Sequence, residues 1–260
     1  MSTGPVVAAV LVTHNSQRYL EQTLASIAHQ SQAADITIAI DDASTDETPA
    51  ILATHNFTVH RATTSAQDTT TRIAQNFQQG LRAATKAGAD LVILGDHDDI
   101  WHRNRIEHQA TLLEQHPSTA LLASDGYLID EHGAAVPGTI RSTFPVPDDF
   151  SDLPLRAQLA YAVRHSISTG GASALRPSAM TDWSVPTGWL HDRWWSLAAL
   201  RARRFELDAT PVIDYRLSAD QQVGLDTANQ SDGKRWIVRK LSEAATTTHK
   251  TKDLSRLIKG

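Results

Sequence analysis

The chain has 260 residues, of which 41% are hydrophobic and 20% are charged, and it contains no cysteine. This length and composition are typical of a globular protein of one or two domains that buries its own core. The missing cysteines exclude disulfides, zinc–thiolate sites, iron–sulfur clusters and cysteine nucleophiles. No apolar run approaches the roughly 18 residues of a membrane span and the N-terminus lacks a signal-peptide pattern, so we expect a cytoplasmic protein.

The net charge of −5 is unevenly distributed along the chain. Residues 231–260 carry eight Lys and Arg against three acidic residues, so a basic tail follows an acidic body. The acidic body argues against a nucleic-acid partner. Apolar Trp236, Ile237 and Leu241 fall at helical spacing and predict a basic amphipathic helix. This helix either packs on the body or on a second subunit, or it contacts an anionic membrane surface.

The first 125 residues alternate between two hydrophobic patterns. Continuous apolar runs at 6–12, 36–40 and 91–94 are typical of strands buried on both faces. Helical stripes follow, one beginning near residue 20 and another over 69–87. This alternation predicts an α/β fold, with a mostly parallel, doubly wound sheet and helices on both faces.

The hydrophobic pattern of the second half of the chain is less regular. The sequence there predicts a proline-rich loop over 137–154, a flexible turn at 168–171 and a helix over 189–203. Short strand-like pieces follow over 205–217.

Three polar clusters follow the predicted strands of the first half. They are Thr13-His14-Asn15, Asp41-Asp42 and the acidic run 96–99. In a parallel sheet the carboxyl ends of the strands share one edge, and ligands bind there. The sequence therefore predicts a binding site at that edge.

The run 96–99 contains the carboxylates of Asp96, Asp98 and Asp99. Such crowding is costly unless a cation neutralises it, and oxygen ligands suit Mg²⁺ or Mn²⁺ shared with substrate phosphates. The alternative is a solvated acidic turn that caps the next helix. Asp41 similarly fits either a base or ribose ligand, or an Asx turn. Asp192 fits either a general base or a simple charge at a helix N-terminus.

Several other sites lack their motifs. There is no G-x-G-x-x-G and no G-x-x-x-x-G-K-[ST], so a dinucleotide fold and a P-loop are not indicated. No G-x-S-x-G elbow is present, and the histidines at 97, 102 and 108 lack the spacing of a helical zinc pair.

Together these stretches resemble glycosyltransferase family 2, an inverting family with the GT-A fold. The similarity lies in Val10-Leu-Val-Thr-His-Asn15, Ile40-Asp-Asp-Ala-Ser-Thr-Asp46 and Leu94-Gly-Asp-His-Asp-Asp-Ile-Trp101. His191-Asp192-Arg-Trp-Trp195 and Tyr215-Arg216 further resemble its rhamnosyltransferase-like branch. That branch has His and Asn where this chain has Ser218 and Gln221, which puts the donor and the strength of metal dependence in question.

The resemblance implies a donor-binding role for five residues. Thr13 and His14 would line the nucleotide base pocket, and Asp41 would bind the base. Arg72, on the helix before the acidic run, would touch the base or a phosphate. Asp96 would bind the ribose side of the sugar nucleotide.

Four further residues complete the implied site. Asp98 would hold a divalent cation, Mn²⁺ or Mg²⁺, and Asp192 would be the catalytic base. Trp101 and Trp195 would stack on the faces of the acceptor sugar, with packing in the core as the alternative.

The resemblance implies an inverting, metal-dependent transferase with one GT-A domain over residues 1–230. Residues 1–125 would bind a dTDP- or UDP-sugar and residues 126–230 a glycan or lipid-linked acceptor in polysaccharide synthesis, with rhamnose as first candidate. One alternative is a catalytically inactive GT-A module that binds sugar nucleotides or serves as a scaffold. A nucleotidyltransferase is a second alternative, but it would need a Gly-rich basic loop after the first strand.

Overall fold

The computed structural model describes residues 4–218, 225–226, 237–238 and 253–254. The strands are β1 Val7–Thr13, β2 Ile36–Asp41, β3 Thr58–Arg61, β4 Leu91–Gly95, β5 Ile100–Trp101, β6 Leu121–Ile129, β7 Ala135–Thr139, β8 Ser173–Leu175, β9 Phe205–Arg216, β10 Leu225–Asp226 and β11 Ile237–Val238. The helices are α1 Leu20–Ala28, α2 Thr48–Thr54, α3 Thr69–Lys86, α4 Arg105–Gln115, α5 Ile140–Thr143, α6 Leu155–Arg164 and α7 His191–Arg201.

One sheet organises the fold. Its strand order is β3-β2-β1-β4-β8-β6-β9-β5, with β7 added beside β6. Strands β3, β2, β1 and β4 are mutually parallel, as the sequence predicts, and β6 and β9 are parallel as well. Strand β8 runs antiparallel between β4 and β6 and joins the two halves.

The sheet is covered by helices on both faces, so the predicted α/β fold is confirmed. Strand β1 sends alternate side chains to opposite faces, and all seven of its residues are buried. Val7, Ala9 and Leu11 pack in one core cluster with α1, α2 and α4, whereas Ala8 and Val10 pack in the other with α3 and α7. A continuous apolar strand is needed because neither of its faces meets water.

The second half departs from its predictions in three places. The segment 137–154 contains the end of β7, helix α5 and a 3-10 turn at Phe150–Asp152, so it is not wholly a loop. Residues 205–217, expected as short pieces, form one long strand, since pairing with β6 carries the chain past Pro211 with a change of register. Helix α6 and strand β8 were not predicted, because each is short and lacks a clear apolar period.

Most of the predicted basic tail 231–260 lies outside the described residues. Ile237–Val238 pairs antiparallel with Leu225–Asp226, so the predicted helix is wrong at these two positions. Leu254 is partly buried against a third core cluster, built around Phe150, α6 and α7. Within the described segments, no helix is long and apolar enough to cross a membrane.

Candidate functional site

The three predicted polar clusters meet at one edge of the sheet. Thr13 at the end of β1 is in register with Asp41 at the end of β2, and Leu11 of β1 is in register with Gly95 of β4. Because these strands are parallel, their carboxyl ends place the three following loops side by side.

The carboxylate of Asp41 organises the first part of this edge. Its Oδ1 accepts hydrogen bonds from the Thr13 hydroxyl at 3.1 Å and the Ser44 hydroxyl at 2.6 Å. Its Oδ2 accepts from the Ser44 amide at 3.2 Å. The turn-forming alternative for Asp41 is therefore present, and its predicted contact with a nucleotide base stays a prediction.

Beside this turn, Asp42 forms an ion pair with Arg72. The Arg72 guanidinium donates to Asp42 Oδ2 at 2.7 Å, and both side chains are largely removed from solvent. His14 lies 2.6 Å from the Asp42 carbonyl through Nδ1, so that nitrogen is the donor. The sequence predicted a ligand role for His14 and Arg72 and placed Asp42 in the same site, but it gave no separate role to Asp42, which connects them.

The acidic loop after β4 buries its carboxylates. Asp98 is 7% exposed and Asp99 is fully buried. Asp99 accepts from the Arg216 amide at 3.1 Å through Oδ1, whereas its Oδ2 has no hydrogen-bond partner among the described residues. Burial and the charges of Asp98 and Asp96 raise the pKa of Asp99 well above its usual value.

Asp96, partly buried in the same loop, is likewise perturbed. Burial, followed by the charges of Asp98 and Asp192, raises the pKa of Asp96 to about 7. The Arg105 charge and a hydrogen bond from the Gly171 amide act in the opposite direction. Full ionisation of the loop would therefore leave more negative charge than its protein partners neutralise.

Two buried arginines hold the acidic loop. Arg105 donates to the Leu94 carbonyl at 2.6 Å, and its guanidinium lies 3.9 Å from the Trp101 ring centre. Arg216 donates through Nε to the Asp98 carbonyl at 2.8 Å and reaches Gln22 on α1 at 2.8 Å. Sequence reasoning assigned a role to neither, because a buried arginine has no distinctive local pattern.

Asp192 comes to this edge from the second half of the chain. It lies in the first turn of α7, and its Oδ1 accepts from the Arg193 amide at 2.6 Å. The helix dipole alone favours an ionised carboxylate, yet burial raises the pKa of Asp192, opposed by the Arg193 and Gly170 amides and the Arg193 charge. Its charge in turn raises the pKa of Asp96, so the two carboxyls lie within range of each other's charge.

The turn at Gly170 and Gly171, expected to be flexible, is buried and closely packed. A Cβ on Gly171 would lie 2.6 Å from Asp96 Oδ2 and 2.7 Å from Asp99 Oδ2. A Cβ on Gly170 would overlap Nε2 of His191. Only residues without side chains allow the acidic loop and the start of α7 to approach this closely.

The predicted sugar-stacking role of the two tryptophans is not met in the structure. Trp101 is 3% exposed beneath Arg105, and Trp195 is 1% exposed with its indole N–H bonded to the Trp183 carbonyl at 2.8 Å. Neither ring offers a face to a ligand. Both tryptophans pack in the core, which was the alternative to sugar stacking. Ser218 is also buried, and Gln221 lies outside the described residues.

The chemistry of the acidic loop fits a divalent cation. It offers hard carboxylate oxygens, one of them the orphaned buried Oδ2 of Asp99. Among the described residues, no three His, Asp or Glu side chains form a metal cage. Ions such as Mg²⁺ are typically held by one or two carboxylates together with substrate phosphates, so Asp98 and its neighbours suit that arrangement.

Comparison with known proteins identifies relatives of this fold. A model of the family "Glycosyl transferase family 2" matches residues 8–145. EpsE of Bacillus subtilis (strain 168) is 30% identical over 136 residues, which are 51% of this chain and 47% of EpsE. The chain thus spans about half the length of its curated relative.

Solved structures share the fold at low sequence identity. S. aureus TarS 1-349 in complex with UDP matches at a TM-score of 0.58 and 17% identity, over 82% of this chain and 60% of TarS 1-349. Glucosyl-3-phosphoglycerate synthase from Mycobacterium tuberculosis, in complex with Mn²⁺, UDP and glucosyl-3-phosphoglycerate, matches at a TM-score of 0.56 and 17% identity. The match covers 83% of this chain and 73% of the synthase. The mannosyltransferase PcManGT from Pyrobaculum calidifontis, in complex with GDP-Man and Mn²⁺, matches at a TM-score of 0.54 and 17% identity. The match covers 84% of this chain and 59% of PcManGT.

The family model covers more than half of the chain and ends beyond the acidic loop, so it includes all three polar clusters of the first half. The mixed sheet with helices on both faces agrees with the structural matches. The chain belongs to glycosyl transferase family 2.

Proposed function

We propose that this chain is an inverting glycosyltransferase that moves a sugar from a nucleoside-diphosphate donor to a glycan or lipid-linked acceptor. One observation carries the proposal: the Gly170–Gly171 turn packs against Asp96 of the acidic loop and against His191, which precedes Asp192 on α7, so Asp192 lies within charge range of Asp96. A base for the acceptor hydroxyl and carboxylates for the donor are the two functions that such a transfer needs. They come from the proposed acceptor half, 126–230, and donor half, 1–125, of one domain.

The donor side rests on the loops after β1, β2 and β4. We assign Thr13, His14 and Asp41 to the base, Arg72 to the base or a phosphate, and Asp96 to the ribose. A cation held by Asp98, Mn²⁺ or Mg²⁺, would offset the negative charge of the leaving diphosphate. Mn²⁺ with a nucleotide in the synthase and the mannosyltransferase named above supports this choice.

The transfer itself is assigned to Asp192. Its ionised carboxylate takes the proton of the acceptor hydroxyl while that oxygen attacks C1 of the donor sugar, opposite the diphosphate. One displacement breaks the C1–O bond and inverts the anomeric centre without a covalent enzyme intermediate. Burial raises the pKa of Asp192, which strengthens it as a proton acceptor near neutral pH.

A dTDP-deoxyhexose such as dTDP-rhamnose is the first donor candidate, because of the similarity to the rhamnosyltransferase-like branch. UDP-sugars are the second, and UDP or UDP-GlcNAc bound to TarS supports them. The proposal includes a role in cell-surface polysaccharide synthesis and a cytoplasmic location, with the tail 231–260 in peripheral contact with an anionic membrane or packed on protein.

Thermal-shift screening of nucleotide sugars with and without Mn²⁺ tests this function. A Mn²⁺-dependent rise in melting temperature with one donor is expected, followed by release of its nucleotide when acceptors are added. Donor binding without transfer or donor hydrolysis would instead indicate the inactive sugar-nucleotide-binding module. Absence of binding by every donor would contradict both.

A further inference from the structure

A polar groove of about 340 Å³ lies between helix α3 and the loop that follows β3. Its walls are the hydroxyl side chains of residues 63–65, the amides of Gln75, Gln78 and Gln79, and the guanidinium of Arg82. No carboxylate of the proposed catalytic site is among them. A volume of this size is typical of small-molecule sites, but those are mostly apolar, whereas each lining residue in the described part of the chain is polar here.

Part of this polar lining fixes the shape of the groove. Gln79 Oε1 accepts hydrogen bonds from the Thr63 amide and hydroxyl, both at 2.9 Å, and its Nε2 donates to the Arg61 carbonyl at 2.8 Å. The Thr64 hydroxyl donates to Gln75 Oε1. These bonds tie the loop to two successive turns of α3, so the groove is preformed.

The remaining polar groups of the groove are accessible to a ligand, and Ser65, Gln75 and Arg82 are exposed to solvent. Gln78 is 8% exposed and is anchored by its Nε2, which donates to the Trp183 carbonyl at 3.0 Å. Its Oε1, together with the Gln75 Nε2, the Ser65 hydroxyl and the Arg82 guanidinium, has no hydrogen-bond partner in the part of the chain that is described. Donors and acceptors therefore line the same groove, and a buried amide holds one acceptor in a fixed position.

The charge in the groove is nearly balanced. Among the described residues that line the groove, Arg82 alone is charged, and Asp182 lies close enough for the two charges to interact. A strongly anionic ligand would meet little net positive charge here. Each hydroxyl of a sugar both donates and accepts, and so matches mixed amide, hydroxyl and guanidinium groups.

We propose that the α3 groove is a binding site for a neutral saccharide that lies beside the proposed base position, since the Ala62 amide donates to the Asp41 carbonyl, but uses none of the residues assigned to donor or acceptor. Its described lining belongs to α3 and the loop after β3, so the site needs neither nucleotide nor cation. A nucleoside also matches amide groups, but the described lining of the groove offers no aromatic ring on which a base would stack.

Saturation-transfer NMR with the full chain tests this proposal, using millimolar maltotetraose, cellotetraose and chitotetraose without nucleotide or metal. Saturation transfer to at least one of these neutral tetrasaccharides is expected. Arg82→Ala and Gln75→Leu should each weaken its affinity by at least about tenfold, because each removes hydrogen-bond donors from the groove. Lys86→Ala is the matched control: it removes an exposed cation one turn further along α3, outside the groove.

Uridine and a heparin-derived tetrasaccharide serve as the competing probes in the same measurement. Binding of uridine alone, or of the anionic tetrasaccharide alone, would overturn the proposal. So would no saturation transfer to any neutral probe, or equal affinities in wild type, Arg82→Ala and Gln75→Leu. Because no donor or acceptor reaction is measured, failure here leaves the proposed transferase function to its own test.

Discussion

Arg72 on α3 and Asp42 after β2, thirty residues apart in the chain, form a hydrogen-bonded ion pair at 2.7 Å beside the ring of His14. The pair holds the guanidinium at the edge of the sheet where the donor nucleotide is proposed to bind. Arg72 could therefore act by stabilising the fold through Asp42 or by binding the nucleotide, and variants of the two partners distinguish these roles.

The first prediction compares Arg72→Gln with Asp42→Asn. Both changes break the same ion pair, so both should lower the melting temperature by a similar amount. Only Arg72→Gln removes the cation, and it should weaken nucleotide affinity about tenfold or more if Arg72 touches the base or phosphate. Isothermal titration calorimetry measures this difference, and equal nucleotide affinity in the two variants would assign Arg72 to structure alone.

The second prediction concerns the cation. Asp98→Ala should abolish Mn²⁺-dependent donor binding while the protein remains folded, because it removes the proposed metal ligand. Asp148→Ala is the control, since it removes an exposed carboxylate away from the loop. Calorimetry with donor and Mn²⁺, together with chelator-treated samples, gives the result. Undiminished donor affinity in Asp98→Ala would refute the assignment.

The third prediction concerns the base. Asp192→Asn preserves the shape of the side chain but cannot accept a proton. Transfer to acceptor should fall by roughly 10²–10⁴-fold, with little change in donor affinity. If Asp192→Asn kept the kcat of the wild type, the base would have to be another residue, with Asp99 as the next candidate. The acidic limb of the kcat/KM profile should lie above the usual range of a carboxyl, because burial raises the pKa of Asp192.

The fourth prediction uses the buried ring of His191, which stacks on Phe77 at 3.8 Å. Burial lowers the pKa of His191 from an ordinary 6.5 to about 3, so the folded protein keeps the ring neutral where the unfolded chain binds a proton. The stability of the fold that depends on the neutral His191 ring is fully present above pH 6.5, and it is lost as the pH falls towards 3.

His191→Phe removes this titration while preserving an aromatic ring in the stack. Between pH 7 and pH 5 the melting temperature of the wild type should therefore fall relative to that of the variant. Thermal unfolding of both proteins in matched buffers measures the difference. If the difference in melting temperature between the two proteins stayed constant from pH 7 to pH 5, His191 would not control the pH dependence of stability.

The fifth prediction concerns the C-terminal segment. Leu254 packs against the cluster around Phe150, so truncation after Gly233 should lower the melting temperature. Leu254→Ser should reproduce part of that loss. Sedimentation with anionic vesicles tests the membrane alternative. Salt-sensitive vesicle binding that truncation removes, with no change in melting temperature, would favour membrane contact over packing.

The sequence was sufficient for the first half of the fold because its signals are local. Continuous apolar runs and helical stripes place β1, β2, β4, α1 and α3 within one or two residues of their observed bounds. Parallel strands then bring their following loops to one edge, so the sequence alone predicts that Thr13, Asp41 and residues 96–99 lie together. Each of these inferences depends on periodicity or on the end of a strand, and both can be read from neighbouring residues.

Tertiary structure alone decided what these residues contact. The buried arginines at 105 and 216, the Asp42–Arg72 pair and the approach of Asp192 to Asp96 join positions far apart in the chain. The burial of Trp101 and Trp195 also depends on the elements packed over them, so residue type alone could not separate a sugar platform from a core side chain. Local sequence fixes which chemical groups lie at a strand end, whereas their charge state and accessibility depend on partners from distant segments, which only the folded chain brings together.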